Sequence, residues 1–468
     1  MRRPYGVDLP VMFPEPLSAV DRAWLRMDDP TNLMMITGVL AFEQPMDRAT
    51  LERVLRARLL PIPRFRQRVV GSYGRGRLLW EEDPDFELAR HVEEITLPGA
   101  GGDVELKELV SGLMSRPLPA DRPLWCFHLI HGYQGGSAVM ARLHHVIGDG
   151  IALMLVLLSL TDPAPGIDHG EREGGNPFTS LFIKGREAIA TVRRQAEELM
   201  PEGMKLLLQP ADLLKTVNPL LKGIASLGAA GRMTFRSADP QTLFKGALGV
   251  PKRATWSQAI SVEEVRETAR RVHANLNDVL LSSMAGSLGR YLRGRGVRSA
   301  GVSVRAALPV NLRPLESMAD LGNQFGLVFL PLPLGILDPL ERLAELRRRL
   351  RSLKTSAEPL AAFQILRFLG VSPLAIQRLI VRILATKATA VATSVPGPKE
   401  PLYLAGNRLS TMFFWVPQAG RVGLGISILS YAGEVRMGVA SDAGLVPDPD
   451  VIVEGFYQEL EDLRRRAP

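Results

Sequence analysis

The stretch His144-His145-Val146-Ile147-Gly148-Asp149-Gly150 lies between two apolar runs, Ser137–Leu143 (SAVMARL) and Ile151–Leu160 (IALMLVLLSL). The first run is short. With Trp125–His131 it flanks a Gly135-Gly136 turn, and the two read as paired apolar strands. The second is long enough for a buried helix that begins at Gly150. A histidine at a strand end, in a glycine-bearing loop, can face a channel. Its neutral imidazole can take a proton from an alcohol while that alcohol attacks a thioester. Asp149 stands where the helix begins and can cap it or hold an arginine, for which Arg305 and Arg313 are the candidates. Gly150 allows a tight bend and close packing. Blander readings of the string stay open: paired histidines are commonly surface residues, and Asp-Gly is a common turn. His145 and Asp149 could also share a metal, although no third ligand is evident nearby.

Outward from this loop, Ser18 reads as the N-cap of a short helix carrying Asp21, Trp24 and Leu25. A buried strand is expected at Leu33–Phe42, a helix at Arg48–Leu59, strands at Arg77–Trp80 and Asp85–Thr96, and a short helix at Leu106–Met114. The string DPAPGIDHGEREGGNP from Asp162 changes the character of the chain. Weakly amphipathic stretches such as Leu181–Met200 follow, so residues 163–250 read as a linker with accessory helices. Beyond them a helix begins near Val262. A second, started by Asn277 or Asp278, runs through Tyr291 and stops near Gly294 and Gly296. Asn277 reads as that helix's N-cap, with Asp278 in its first turn. Strands are expected at Val302–Val310, Phe325–Leu332, Thr411–Val416, Gly423–Tyr431 and Glu434–Ala440. Asp338-Pro339 opens an arginine-rich helix, and the last helix is Asp448–Arg466. Strand-rich and helix-rich stretches alternate twice, which predicts an α/β chain with mixed sheets and two related lobes, residues 1–162 and 251–468, on either side of the linker.

The chain has 468 residues, 46% hydrophobic and 23% charged, enough for a large core. Its one cysteine, Cys126, rules out an internal disulfide and a cysteine-based metal cluster, suits a reducing cytoplasm and reads as core filler. The N-terminus does not read as a secretory signal. No transmembrane helix is expected, since the closest stretch, Phe363–Ala385, carries Arg367, Pro373, Arg378 and Arg382. Between Arg342 and Lys387 ten basic residues face two acids, Glu345 and Glu358, a surplus equal to the whole chain's +8. Such a surface suits phospholipid headgroups or the phosphates of coenzyme A, or is a solvated helix face. No zinc finger, glycine-aromatic signature or interleaved aromatics point to nucleic acid.

The loop resembles the HHxxxDG motif of the coenzyme A-dependent acyltransferase superfamily, which nonribosomal peptide condensation domains share. Further blocks narrow the resemblance: Pro16-Leu17-Ser18 with Asp21, Pro123-Leu124-Trp125, Asn277-Asp278-Val279, Val302–Pro314 with Gly322-Asn323, Val395-Pro396-Gly397-Pro398, and Val446-Pro447-Asp448. In this order, across nearly the whole chain, they are similar to the bacterial wax ester synthase/diacylglycerol acyltransferase family. Ser394 departs from the pattern, standing where that family usually has asparagine, and residues 387–393 are richer in alanine and threonine.

The resemblance implies two lobes with an active-site tunnel between them, and transfer of a fatty acyl group from acyl-CoA to a diacylglycerol or a long-chain alcohol. His145 would be the general base, His144 its supporting neighbour, and Asp149 the residue that fixes the loop. Gly150, Asn277 and Asp278 would serve the acyl-CoA side, with Asn277 a candidate oxyanion partner and the Pro396-Gly397-Pro398 turn shaping the entrance. Trp125 would be a core or tunnel-wall residue. No metal or prosthetic group is implied; acyl-CoA is a cosubstrate. No Gly-x-Ser-x-Gly elbow accompanies the histidine, which argues against a serine-esterase route. A cytoplasmic protein touching an anionic membrane or lipid body peripherally is expected. Arg347, Arg348 and Arg349, with Leu340, Leu343, Leu350 and Leu353, form the candidate dock. The competing readings are a carrier-dependent condensation enzyme and a non-catalytic lipid-binding protein on the same fold.

Overall fold

A strand covered on both faces needs no polar alternation, and the two most apolar strands of the first lobe are of this kind. Met35–Phe42 (β2) and Gly136–His144 (β7) are buried at every position and pair antiparallel, with Met35 opposite His144. This computed structural model describes residues 14–71, 77–165, 231, 236–312, 321–353, 358–418 and 422–468; Arg313 and the helix expected at Leu181–Met200 lie outside them. Trp125–Tyr133 (β6) forms a hairpin with β7, turned by Gln134 and Gly135 at φ 51° and 84°, the left-handed conformation a tight hairpin requires. Val92–Thr96 (β5) adds in parallel to β6. On the other flank of β2 comes a strand from far along the chain, Asn407–Trp415 (β14), with Met412 opposite Leu40 and Phe414 opposite Gly38. Tyr403–Leu404 (β13) completes a six-stranded sheet in the order β13-β14-β2-β7-β6-β5. Glu15–Pro16 (β1), Gln67–Val70 (β3) and Leu79–Glu82 (β4) make a separate small sheet.

The second large sheet runs Phe325–Leu332 (β11), Val304–Asn311 (β10), Ala390–Pro396 (β12), Leu424–Tyr431 (β15), Glu434–Asp442 (β16) and Lys252–Trp256 (β8), with the short Ile260–Ser261 (β9) also on β16. β12 is parallel to both β10 and β15, and the other pairings are antiparallel. The chain is thus mixed α/β in two lobes. Each lobe has its own core, and a third cluster joins them where Trp256 of β8 stacks on Phe413 of β14 at 4.5 Å.

The helices begin where their caps dictate. Ser18 accepts the Asp21 N–H at the start of Ala19–Met27 (α1), and Asp47 accepts the Thr50 N–H at Arg48–Val54 (α2), which runs on as a π turn over Leu55–Leu59. Asp103–Met114 (α3) lies against β8. Gly150–Ser159 (α4) carries no charged residue and is largely buried. In the second lobe, Val262–Arg271 (α5) is capped by Ser261. The next helix, Leu276–Gly294 (α6), is capped by Asn275 and not by Asn277, which lies within the first turn and is buried.

One expectation about the basic stretch changes. The helix opened by Asp338, Pro339–Leu353 (α7), turns Leu343, Leu346 and Leu353 into the core, and Leu340 and Leu350 pack against it. Four of its five arginines are engaged: Arg342 is buried in an ion pair with Glu459, Arg347 meets Asp278 at 3.3 Å, and Arg348 and Arg349 meet Glu345 at 2.7 and 2.6 Å. The leucines of this helix therefore belong to the core and not to a lipid-facing side. Phe363–Ala385 belongs to two helices, Glu358–Val371 (α8) and Leu374–Ala385 (α9), broken at Ser372-Pro373. Among the described residues no helix is long and apolar enough to cross a membrane. Asp450–Arg466 (α10) closes the chain against α6.

Candidate active site

The two histidines leave the end of β7 and part ways. Their backbones are held first: the His144 N–H donates to the Leu124 carbonyl at 3.0 Å and the His145 N–H to the Met34 carbonyl at 2.8 Å. His144 Nδ1 accepts the Val146 N–H at 3.0 Å, so the neutral ring carries its proton on Nε2, which stands 3.7 Å from Asp28 Oδ1. That Asp28 oxygen also accepts the Met34 N–H at 2.6 Å. His144 lines a cavity of about 280 Å³ with Leu25, Arg26, Asp28, Met35 and Arg378.

His145 turns the other way. Its ring lies nearly parallel to Trp24 of α1, with centroids 4.1 Å apart, and meets Phe325 of β11 at 5.5 Å. Nδ1 is buried and has no hydrogen-bond partner among the described residues. Burial pushes this imidazole down to about 4, a shift only partly opposed by the nearby Asp149 carboxylate. At neutral pH the ring is therefore uncharged and keeps a lone pair free to accept a proton.

The loop between the histidines and α4 is clasped from the second lobe. Asn323 Nδ2 donates to the His145 carbonyl at 2.7 Å and to Asp21 Oδ1 of α1 at 2.8 Å. The Asp149 N–H donates to the Gly322 carbonyl at 3.3 Å. One carboxylate oxygen of Asp149 accepts the Ala152 N–H at 3.0 Å and caps α4, while the other accepts the Gln324 N–H at 3.3 Å. Arg305 is not its arginine partner. That guanidinium binds Asp239 at 3.3 Å and the carbonyls of Ser237 and Lys387. Gly150 does not turn the chain into a left-handed conformation, and a Cβ there would only touch Ile36 at 3.9 Å, so the backbone makes no demand for glycine.

The remaining expected residues sit elsewhere. Asn277 Oδ1 accepts the Ser394 hydroxyl at 2.7 Å, and the Asp278 N–H donates to Asn275 Oδ1 at 2.8 Å. Neither of these contacts reaches the histidine loop. Trp125 is core: its Nε1 donates to the Phe65 carbonyl at 2.9 Å and its ring stacks on His91 at 4.2 Å. Cys126 is buried, which pushes its thiol up to about 12. It does, however, lie with Glu93 and His128 in a cluster whose donor atoms fall within 4.8 Å of one another. Arg142 stands opposite Cys126 on β7, and its positive charge works against a cation there. Trp24, Asn323 and Phe325 complete the surroundings of His145 without having been singled out for it. The signal for Asn323 was a polar residue pinned between a glycine and an apolar strand.

Two family models match in sequence order: the wax ester synthase/diacylglycerol acyltransferase catalytic domain over residues 17–280, and the C-terminal domain of the same family over residues 321–464. A relative from Mycobacterium tuberculosis, named a probable diacylglycerol O-acyltransferase, is 27% identical over 96% of this chain and 95% of its own length. The solved wax ester synthase/diacylglycerol acyltransferase of Marinobacter aquaeolei VT8 superposes with a TM-score of 0.68 at 20% identity, covering 97% of this chain and 99% of that one. The first condensation domain of the calcium-dependent antibiotic synthetase has the same fold, with a TM-score of 0.62 at 17% identity over 97% and 98% of the two chains. With both of its domains matched, this chain belongs to the wax ester synthase/diacylglycerol acyltransferase family.

Proposed function

We propose that this acyltransferase moves a fatty acyl group from acyl-CoA to a lipid alcohol, a diacylglycerol or a long-chain alcohol, with His145 as the general base. The observation that carries this reading is the setting of the His145 ring: buried against Trp24 and Phe325, with Nδ1 unpartnered among the described residues, on a backbone clasped by Asn323. The imidazole takes the hydroxyl proton as the alcohol oxygen attacks the thioester carbonyl. The tetrahedral adduct then collapses, the carbon–sulfur bond breaks, and the imidazolium returns its proton to the departing thiolate. Acyl-CoA is a cosubstrate, and the scheme needs no metal or prosthetic group.

His144 and Asp149 position the base in this reading, His144 through its bond from Val146 and Asp149 through α4 and Gln324. Gly150, Asn277 and Asp278 border the acyl-CoA side. Asn277 gives its carbonyl oxygen to Ser394 and keeps its amide hydrogens for the donor. The products are apolar and must leave into lipid, so the reaction belongs at the inner face of a membrane or at lipid bodies, met from the cytoplasm.

The test is coenzyme A release from palmitoyl-CoA with hexadecanol or dioleoylglycerol, by wild type and His145→Ala. The only cysteine is buried with a raised pKa, so thiol reagents report released coenzyme A and not the folded protein. Acceptor-dependent release that falls roughly 10²–10⁴-fold in the variant is expected. Release that needs no acceptor, or a variant as fast as wild type, refutes the assignment. Turnover only with carrier-bound acyl groups would make the chain a condensation-type enzyme.

A further inference from the structure

Four large apolar side chains crowd one short stretch of surface: Phe368, Val371, Ile376 and Leu379 are 54%, 64%, 43% and 58% exposed. They lie on α8 and α9. On α8 the exposed positions are Gln364, Arg367, Phe368 and Val371, spaced as one helical face. On α9 they are Ala375, Ile376, Arg378, Leu379 and Arg382. Arg367, Arg378 and Arg382 make no ion pair among the described residues, and from Pro359 to Ala385 the sequence has no acid. An amphipathic pair of helices whose outward side mixes aromatic and aliphatic residues with unpaired arginines matches an anionic lipid surface in both of its layers, acyl chains and headgroups.

The inward side of the same pair is fixed to the site. A Cβ on Gly370 would sit 1.5 Å from the Ala19 carbonyl oxygen, so α8 lies directly against α1. Leu366 and Leu369 pack with Trp24, the ring on which His145 stacks. Gln377 Nε2 donates to the Ala23 carbonyl at 3.0 Å, and Arg26 to the Ser372 carbonyl at 3.2 Å. Leu374 and Arg378 also line the cavity that His144 faces. The exposed face therefore borders that cavity.

We infer that α8 and α9 form the surface by which this protein docks on anionic phospholipid, with the cavity lined by His144 set at the lipid for the alcohol to enter beside the histidine loop. The second half of that statement rests on the proposed acyl transfer; the first does not.

The experiment is co-sedimentation of the full chain with vesicles of phosphatidylcholine alone, or with phosphatidylglycerol added, at low and high salt. The variants are Phe368→Glu/Leu379→Glu and the milder Val371→Gln/Ile376→Gln. Wild type binds the anionic vesicles, and binding weakens with salt. The glutamate variant loses at least roughly tenfold in partitioning, and the glutamine variant loses less. Both keep the wild-type melting temperature and the wild-type rate on a dispersed short-chain alcohol. Arg367→Gln/Arg382→Gln lowers the preference for phosphatidylglycerol, whereas neutralising Arg347, Arg348 and Arg349 leaves it alone.

Wild type that ignores anionic vesicles overturns the inference, as does equal binding to both lipids or a glutamate variant that binds unchanged. A glutamate variant that changes from dimer to monomer, with vesicle binding intact, would make a second copy the occupant and overturn it too. Loss of vesicle binding in a protein that shows no transfer activity at all would keep the docking surface and remove the enzymatic reading.

Discussion

Replacing Asn323 by alanine removes one NH₂ group from two buried acceptors at once. Its Nδ2 holds the His145 carbonyl at 2.7 Å and Asp21 Oδ1 at 2.8 Å, and all three residues are buried. A buried neutral acceptor left unsatisfied costs roughly 1–3 kcal/mol, and a hydrogen bond to a charged partner is worth about 1.5–3 kcal/mol, so the truncation costs about 2.5–6 kcal/mol. Burial already raises the Asp21 carboxyl above its ordinary value, and the Asn323 amide is the largest influence opposing that rise. Without the amide, Asp21 shifts further toward its protonated form, which limits the cost. The kinetic effect follows from position. The His145 carbonyl loses its tie to the second lobe, and displacement of a catalytic group by about 1 Å can cost roughly 10²-fold. Asn323→Asp, nearly isosteric, sets acceptors against the same two oxygens and is expected to be worse than alanine at neutral pH, recovering as the pH falls. The assay pairs coenzyme A release with the urea midpoint for wild type, both Asn323 variants and His145→Ala. An Asn323→Ala protein with wild-type rate and midpoint would refute the clasp.

Three further outcomes follow from the same contacts. Burial holds the His145 imidazole low, so the acid limb of the rate profile is expected well below the ordinary histidine value of 6.5. Trp24→Ala admits water to the ring and should move that limb upward; a wild-type limb at the ordinary value would contradict the burial argument. Burial also holds His91 at about 4 and His128 at about 3, against 6.5 when unfolded. Below 6.5 the unfolded chain binds protons that the folded chain does not, so stability present at neutral pH is lost on acidification, about 2 kcal/mol per histidine by about pH 5. The urea midpoint should fall over that range and fall less in His128→Leu. Finally, Arg342→Ala removes the buried one of the two arginines that pair with Glu459, leaving only the half-buried Arg290, and should cost up to about 3–5 kcal/mol, whereas the double change of Arg342 and Glu459 to methionine should recover most of it. Equal melting temperatures for wild type and Arg342→Ala would refute the pairing.

The strands were the most legible part of the sequence, because continuous apolar runs between turn residues allow few other structures. Phe325–Leu332 is a strand over the expected residues, and Ser137–His144 starts one residue early. Legibility fell where a local rule had two solutions. Asn275 and Asn277 are both plausible caps two residues apart, and only the backbone decides that Asn275 accepts the Asp278 N–H. The charge of α7 was read correctly and its orientation was not. Sequence counts arginines but cannot see Asp278 and Glu459 arriving from other helices to neutralise them. The arginines of α8 and α9 were counted in the same basic surplus, but sequence could not show that they, and not those of α7, stand on an exposed apolar face. For the site, the histidine loop was visible as a string, whereas the Trp24 stack was not. It depends on an α1 residue meeting one more than a hundred positions away.

The contacts that reach this loop from the second lobe explain why neither lobe can be expected to hold the site alone. The Met34 carbonyl that takes the His145 N–H immediately precedes β2. β2 in turn is covered on one edge by β14, which the chain supplies only after the second lobe's α9 and β12. Gly322, Asn323 and Gln324 clasp the loop from just before β11, and Phe325, the first residue of that strand, touches the His145 ring. A fragment ending near Asp162 would keep both histidines in its sequence. It would also expose the β2 edge, leave the His145 carbonyl without the Asn323 amide and strip Phe325 and α8 from around Trp24. Water would then reach the imidazole and its pKa would return toward the ordinary value. The property that suits His145 to accept a proton, a neutral ring in a dry setting, is thus made by the second lobe although the residue is encoded in the first.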